Sequence, residues 1–282
     1  RTVTGAGSRL LAADLAAPLT DPAAINARLD GVAFLVADER LRQDLRAALK
    51  RTADIERSLA RLGLGRGGPR DLAALRDTLA ETATLRLRLQ QVAPLPLLLA
   101  EAEGELGEHG ILVDRLARAL AAELPLLARD GGFIAPDYAP ELDELRRLRD
   151  ESRRMVAELQ ARYAAETGVA TLKIRHNNVL GYHIEVTPAQ AAKLDDRFIH
   201  RQTMASAVRY GTVELGEFES RIASAADKAL AVELRHYEIL VGEAIARAQP
   251  IARAAAALAR LDATAALAEL AVAETYCRPA ID

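Results

Sequence analysis

The sequence predicts a mainly α-helical protein that carries one small β-rich insertion. Half of its 282 residues are hydrophobic, 4% are aromatic and 27% are charged, a bias typical of long helices. Apolar residues recur every three or four positions in two long runs, 140–167 and 213–250. Between these runs, residues 171–210 alternate apolar and polar side chains, which favours strands. We expect the two long helices to pair antiparallel, with the insertion at their tip.

Each long run carries an apolar stripe suited to helix packing. Gly168 follows the first run and is a natural C-terminal cap, because glycine adopts the left-handed conformation without a Cβ clash. The first stripe consists of Leu145, Leu148, Ser152, Met155 and Leu159. The second consists of Leu215, Phe218, Ile222, Ala225, Ala229, Val232, His236 and Ile239.

Shorter helices are expected before and after these runs. Asp21 with Pro22, and Asp38, have the positions of N-terminal caps. The glycine cluster 63–69 lacks the Gly-x4-Gly-Lys-Ser/Thr order of a phosphate loop and follows no strand, so we interpret it as a loop between helices. The expected shorter helices are 8–17, 22–36, 38–51, 54–62, 69–91, 97–105, 111–122, 251–261 and 263–276.

The insertion begins with a predicted hairpin, in which 171–176 and 179–186 alternate on either side of a turn at Asn177-Asn178. A short helix at 188–194 and one further extended segment at 198–210 follow. Alternation along that segment places on one face Arg201, Thr203, Ala205, Ala207 and Arg209.

Charge is distributed unevenly. The chain has a net charge of -3, whereas residues 171–212 contain six basic and three acidic residues, a net charge of +3. A basic tip on an acidic body attracts polyanions, and arginines beside small residues can contact phosphates without reading bases. An ordinary solvated strand face is the alternative. Only 4% of residues are aromatic, which argues against a platform for stacking single-stranded bases.

The sequence contains no recognisable catalytic or metal-binding pattern. The five histidines have no His-x3-His or His-Glu-x2-His spacing, and there is no Gly-x-Ser-x-Gly. His176 and His183 flank the hairpin, where a metal pair is conceivable, although solvated or surface-packed histidines explain them too. The single cysteine, Cys277, has no partner and is expected to be a small buried thiol in a reducing compartment.

Hydropathy and the first residues add two expectations. The apolar stretch at 95–100 is far too short to span a bilayer, and the first residues do not form a signal peptide. Because the chain lacks an initiator methionine, we expect it to be a piece of a longer protein.

Ordered motifs along nearly the whole chain resemble the middle of the MutS family of DNA mismatch repair proteins. Any one of them is weak, but their order and spacing make the resemblance strong. The motifs are Thr2-Val-Thr-Gly-Ala-Gly-Ser-Arg-Leu-Leu, Asp54-Ile-Glu-Arg-Ser-Leu-Ala-Arg-Leu, Pro69-Arg-Asp-Leu, Arg129-Asp-Gly-Gly-Phe-Ile, Glu141-Leu-Asp-Glu-Leu, Leu172-Lys-Ile, Gly181-Tyr-His-Ile-Glu-Val, Arg201-Gln-Thr-Met, Arg209-Tyr, Glu214-Leu and Leu267-Ala-Glu-Leu-Ala.

The resemblance implies a helical lever (core) domain interrupted by a clamp domain. The expected boundaries are 1–154 for the first part of the lever, 155–213 for the clamp and 214–282 for the return part. In such proteins paired clamps close around double-stranded DNA, mismatched or not, and contact its backbone without sequence preference. The resemblance further implies a homodimeric parent protein, a MutL-type partner, and a bacterial cytoplasmic, nucleoid-associated location.

The same resemblance implies what this chain should not do alone. The Phe-x-Glu mismatch wedge of the family lies before it and the ATPase domain, which binds ATP and Mg, lies after it. We therefore expect no enzymatic activity and no cofactor in this chain. Many relatives have Lys-Asn where this sequence has Ala205-Ser206. The residues expected to bind nucleic acid are Arg175, Asn177, Arg201, Thr203, Ser206 and Arg209.

Overall fold

The computed structural model describes residues 2–92, 94–177 and 179–281 and confirms the mainly helical fold with a small β-rich insertion. A 3-10 turn at Ala128–Asp130 lies between the seventh and eighth helices. The other elements in this part of the chain are α1 (Gly5–Ala16), α2 (Pro22–Ala37), α3 (Glu39–Leu49), α4 (Ile55–Gly63), α5 (Pro69–Gln90), α6 (Leu97–Glu105), α7 (Gly110–Ala119), α8 (Pro140–Thr167), β1 (Lys173–Asn177), β2 (Gly181–Val186), α9 (Pro188–Ala191), β3 (Ile199–Thr203), β4 (Val208–Gly211), α10 (Val213–Ala246) and α11 (Ala248–Ala273).

The chain divides into two compact units. Unit 1 is Arg1–Ala135 with His236–Asp282, and unit 2 is Pro136–Arg235. The limits of these compact units differ from the domain boundaries predicted from the sequence, 1–154, 155–213 and 214–282. Those boundaries describe functional domains and stay a prediction. Unit 2 contains α8, the four strands and most of α10.

Unit 1 is built around α11, which contacts α1 through α6. Many of its buried positions are alanines, among them Ala254, Ala257 and Ala265. Because small side chains let neighbouring helices approach closely, one helix can contact several others.

Helix starts and one loop of unit 1 confirm the sequence prediction. Asp21 and Asp38 are N-terminal caps, because each carboxylate accepts a backbone N–H in the first turn of its helix. The glycine cluster 63–69 joins α4 to α5, as expected.

The last two helices differ from the sequence prediction. We expected one helix to end at Pro250 and two short helices to follow, but α10 ends at Ala246 and α11 continues unbroken to Ala273. Pro250 lies in the first turn of α11, where its missing N–H would have had no helical partner. Proline therefore belongs to the start of a helix here.

In unit 2, α8 and α10 lie antiparallel, as predicted. Ion pairs connect them at two levels: Arg235 donates to Glu141 at 2.6 Å, and Arg162 contacts Glu214. The first pair joins the start of α8 to a late turn of α10, and the second joins the end of α8 to the start of α10. Gly168 ends α8 in the left-handed conformation with φ 62°, which confirms its predicted capping role.

The predicted apolar stripes were only partly right. Leu148 and Met155 on α8 are 48% and 44% exposed, and Ile239 on α10 is 44% exposed. The face of a helix that is buried depends on the elements packed against it. The spacing of apolar residues in the sequence did not by itself specify that face. The buried residues of α8 are Leu142, Ser152, Val156, Leu159 and Tyr163.

The four strands form one antiparallel sheet in the order β1-β2-β4-β3. Its inner face, which carries Ile184 and Val186 of β2, joins a core cluster with residues of α8 and α10. Gly181 begins β2 with φ 68°, and a Cβ there would overlap the carboxylate of Glu219 on α10. The left-handed backbone and this close approach both favour glycine.

The extended segment predicted at 198–210 is a second hairpin. β3 ends at Thr203 and β4 begins at Val208, and the Met204 N–H donates to the Ala207 carbonyl at 2.8 Å. The prediction of one alternating strand was therefore wrong. The residues at the turn, 205–206, are alanine and serine, so the sequence carried only a weak turn signal there.

Candidate nucleic-acid interface

The face of the sheet opposite the core, here called the outer face, carries a row of polar side chains. Period-two alternation puts the inner-face residues Ile184 and Val186 on one side of β2 and Glu185 on the other. Cross-strand register then aligns polar residues of all four strands on the outer face. They include Lys173 and Arg175 of β1, His183 and Glu185 of β2, Arg209 of β4 and Gln202 of β3.

Two of the predicted contact arginines share one carboxylate. Arg209 Nε lies 3.3 Å from Glu185 Oε2, and its Nη1 donates to Gln202 Oε1 at 2.9 Å. Arg175 Nε lies 3.5 Å from Glu185 Oε1. The Arg209 side chain is only 20% exposed, whereas that of Arg175 is 56% exposed. Arg209 is thus held against the sheet, and Arg175 is held more loosely.

Arg201 occupies a different environment. The pairing of β3 with β4 shifts between His200 and Gln202, so Arg201 is the extra residue of a bulge on an edge strand. Its guanidinium lies against Gly211, where a Cβ would be 3.0 Å from Arg201 Nε. The bulge directs this exposed side chain independently of Glu185.

Among the described residues of the insertion, three exposed cations have no acidic partner. Within residues 2–92, 94–177 and 179–281, no carboxylate oxygen lies within ion-pairing distance of Lys173, Lys193 or Arg201. Unpaired, solvated cations can neutralise phosphates at little cost. The expected site residues did not include Lys173 or Lys193, although the alternation that put Arg175 on the outer face also put Lys173 there.

Arg197, unlike these three cations, already has acidic partners and is not free to bind a phosphate. Its guanidinium donates to Asp195 at 2.8 Å and to Glu166 at 2.9 Å. The hydrogen bond with Asp195 and the one with Glu166 raise the pKa of Arg197, and the Arg197 guanidinium in turn lowers the pKa of Asp195. This arginine connects the start of the second hairpin to α8.

Asn177, one of the expected contact residues, has a structural role. Its Oδ1 accepts the N–H groups of Val179 and Leu180 at 2.9 and 2.8 Å and so closes the predicted turn. Asn178, the second residue of that predicted turn, lies outside the described residues.

The two hydroxyl residues of the predicted site have different surroundings. Thr203 Oγ1 lies 2.8 Å from His200 Nε2. Ser206 is exposed in the turn between β3 and β4, and its hydroxyl makes no hydrogen bond to another described residue. Of the two hydroxyls, that of Ser206 is therefore the freer to contact a ligand.

The expectations for His183 and Cys277 need correction, whereas that for His176 is confirmed. His183 is 2% exposed, not solvated, and its Nδ1 lies 3.0 Å from the Gly181 carbonyl oxygen. His176 is exposed and packs edge-on against Tyr182. Cys277, expected to be buried, is exposed, because it follows the end of α11. In the described part of the chain, no group of three or more histidine, cysteine or acidic residues could hold a metal ion.

Comparison with known proteins identifies the family. The sequence-family model described as MutS domain III matches residues 1–268. This chain belongs to the MutS domain III family. The chain is 53% identical to the DNA mismatch repair protein MutS of Nitrobacter winogradskyi, aligned over all of the chain and 32% of that protein. It is also 53% identical to MutS of Rhodopseudomonas palustris strain BisB5 and 50% identical to MutS of Rhizobium meliloti, each over all of the chain and 31% of the relative.

The family assignment confirms the resemblance read from the motifs. The MutS domain III match covers both long helices and the whole sheet between them. The chain spans about a third of the length of the MutS relatives it matches. No helix in the described ranges combines the length and apolar character needed to cross a membrane.

Proposed function

We propose that this chain is the DNA-clamping and lever segment of a MutS-type mismatch repair protein. In this proposal the sheet of unit 2 binds the sugar–phosphate backbone of duplex DNA without sequence preference. The helices α8 and α10 transmit conformational change between the DNA and the ATPase domain of the parent protein.

The observation that carries the proposal is the set of unpaired cations in the insertion. Lys173, Lys193 and Arg201 are exposed and have no carboxylate partner among the described residues. Arg175 adds a half-exposed guanidinium. Binding to phosphates releases condensed counterions, so such groups give affinity that depends on salt and not on sequence. Ser206, in the turn of the second hairpin, can add a hydroxyl contact.

The lever role draws on the way that α8 and α10 are joined. Arg146 donates to Glu233 at 2.6 Å, and Glu233 is almost fully buried. Near the sheet, the Tyr163 hydroxyl of α8 donates to Glu214 Oε2 of α10 at 3.1 Å. Two helices linked at several levels move together, and α8 alone is about 42 Å long at the usual rise per residue.

The remaining expectations extend this proposal to the parent protein. We place the lever at 1–154 and 214–282 and the clamp at 155–213. The parent is proposed to be a homodimeric, DNA-dependent ATPase that binds ATP and Mg outside this chain and works with a MutL-type partner. Its proposed location is the bacterial cytoplasm, at the nucleoid. This chain alone is proposed to have no ATPase activity.

A binding titration tests the DNA contact. We expect the chain to bind a short homoduplex weakly, with affinity that falls steeply as salt rises. In Lys173→Ala/Arg201→Ala, two phosphate contacts are lost. The slope of log K against log salt should therefore fall by about 2, and the affinity near 50 mM salt should fall roughly 10- to 100-fold. Fluorescence anisotropy with two unrelated duplex sequences measures both quantities.

The matched control removes two positive charges elsewhere in unit 2. Arg154 on α8 and Lys228 on α10 are exposed, and Arg154→Ala/Lys228→Ala changes the net charge by the same amount. This control should retain most of the affinity. Equal losses in both double variants would mean that bulk charge, not the outer face and the bulge, binds the DNA.

An alternative function is a helical scaffold that binds protein and not DNA. The observation in its favour is an exposed apolar groove in unit 1, where Leu267 and Leu270 of α11 are 40% and 38% exposed beside Val36 of α2. Absence of duplex binding at low salt, together with a tight protein partner, would favour this alternative over the clamp.

A further inference from the structure

The outer face of the sheet contains one group that works against phosphate binding. Glu185 is the only acidic residue in the four strands that the structure describes. It lies on β2, a central strand, and its side chain is 23% exposed. A carboxylate at the middle of a cationic surface repels phosphate and lowers the net charge of that surface.

The register surrounds Glu185 with cations on both sides. Lys173 lies directly across from it on β1, and Arg209 lies directly across from it on β4. Each carboxylate oxygen faces a different arginine: Oε1 lies 3.5 Å from Arg175 Nε, and Oε2 lies 3.3 Å from Arg209 Nε. A single carboxylate therefore forms ion pairs with two of the six residues expected to bind nucleic acid.

We infer that Glu185 weakens DNA binding at the outer face by competing with phosphate for Arg175 and Arg209. Exchanging one anionic partner for another gains little free energy, whereas a phosphate bound by the unpaired Arg201 displaces no carboxylate. This competition limits the affinity of the outer face for duplex DNA. The inference rests on the proposed function.

The test is Glu185→Gln, which keeps the size and hydrogen-bonding ability of the side chain and removes the charge. We expect the affinity of the chain for a short homoduplex to rise about tenfold near 50 mM salt. The slope of log K against log salt should steepen by about 1 to 2, because one or two arginines become available to phosphates.

Two further variants separate a local competition from a general charge effect. Glu158 is exposed on α8, outside the four strands, and Glu158→Gln removes the same charge. This control should change the affinity less than about twofold, because Glu158 is not the carboxylate that pairs with Arg175 and Arg209 and a solvated surface charge is screened by salt. In Glu185→Gln/Arg209→Ala, a large part of the gain should disappear, because the released arginine is gone. Circular dichroism on each variant verifies that it is folded.

The outcomes distinguish the inference from the function on which it rests. Unchanged or weaker binding by Glu185→Gln would refute the competition while the DNA-binding function stood, and weaker binding would show that Glu185 pre-organises the arginines. An equal gain in Glu158→Gln would also refute it. If neither the wild-type chain nor Glu185→Gln binds duplex at low salt, both the inference and the proposed function fail.

Discussion

Individual side chains of the insertion have different roles that their residue types do not reveal. Arg201 and Arg209 look equivalent in sequence, yet Arg201 lies in a bulge without an acidic partner among the described residues, and Arg209 is held by Glu185 and Gln202. The sequence correctly suggested that the insertion is cationic. It could not show which cations are paired, because pairing depends on the register between strands, including β2 and β4, which are not neighbours in sequence.

A buried histidine in unit 1 gives the fold a pH dependence. His109 is 6% exposed, and its Nε2 lies 3.1 Å from the Leu106 carbonyl oxygen. Burial lowers the pKa of His109 below its ordinary value of 6.5, since the charged imidazolium loses solvation. The unfolded chain therefore binds this proton more readily than the folded chain does. The stability that His109 contributes is complete well above pH 6.5 and is lost progressively as pH falls from there towards the lowered pKa of the folded state.

We predict that the wild-type chain loses stability between about pH 7.5 and 5.5 by up to about 1 kcal/mol through this group. In His109→Gln, which keeps a hydrogen-bond donor, that part of the pH dependence should vanish even if the variant is less stable overall. Urea denaturation at the two pH values measures the difference. The carboxylates with lowered pKa values, Asp54, Asp71 and Asp195, titrate below 3.8 and so outside this window. An equal loss of stability in the wild-type chain and in His109→Gln would contradict the prediction.

The helices α8 and α10 illustrate how burial changes the value of an ion pair. In Arg146–Glu233, the two side chains are 20% and 4% exposed, whereas in Arg235–Glu141 they are 57% and 62% exposed. Removing one partner of a buried pair leaves an uncompensated charge, but an exposed charge is solvated by water. The sequence predicted that these helices pair antiparallel. It did not predict which of the connecting ion pairs are buried.

We predict that Glu233→Ala lowers the free energy of unfolding by about 2 to 3 kcal/mol, since Arg146 is partly buried and loses its nearest carboxylate. Asp143, whose Oδ1 lies 3.5 Å from Arg146 Nη1, should compensate only in part. The matched variant Glu141→Ala, which breaks the exposed pair of the same two helices, should cost less than about 1 kcal/mol. Chemical denaturation followed by circular dichroism compares the two. Similar costs for both variants would show that burial of the Arg146–Glu233 pair does not increase its contribution to stability.

For the chain as a whole, Asp262 of α11 connects regions near the two ends of the sequence. Its carboxylate accepts the N–H groups of Val3 at 2.9 Å and Thr4 at 2.7 Å, and also the Thr4 hydroxyl at 2.6 Å. Asp262 is fully buried, and a Cβ on Gly7 would overlap its Oδ2. The first residues of the chain are thereby attached to its last long helix, within unit 1.

We predict that Asp262→Ala destabilises unit 1 by about 2 to 3 kcal/mol, because the N–H donors of Val3 and Thr4 lose their acceptor. Gly7→Ala should produce a comparable loss by forcing the carboxylate away. Thermal unfolding and hydrogen exchange at α1 measure the effect, with Asp227→Ala on the exposed surface of α10 as the control. Unchanged exchange at α1 in Asp262→Ala would show that the attachment does not hold this helix.

Local chemistry alone accounts for a large part of this fold. Three-four spacing and capping residues marked the helices, period-two alternation marked the first hairpin, and Gly168 marked the end of α8, since each of these depends on neighbours a few residues away. Asp262 shows the limit: placed between two expected helices, it lies inside one helix as a buried acceptor for the first residues of the chain. The pairing of Arg175 and Arg209 with Glu185 likewise depends on residues that are not neighbours in sequence. Glu185 lies between Arg175 and Arg209 because β2 pairs with β1 on one side and with β4 on the other, and such register is a property of paired strands, not of any one segment.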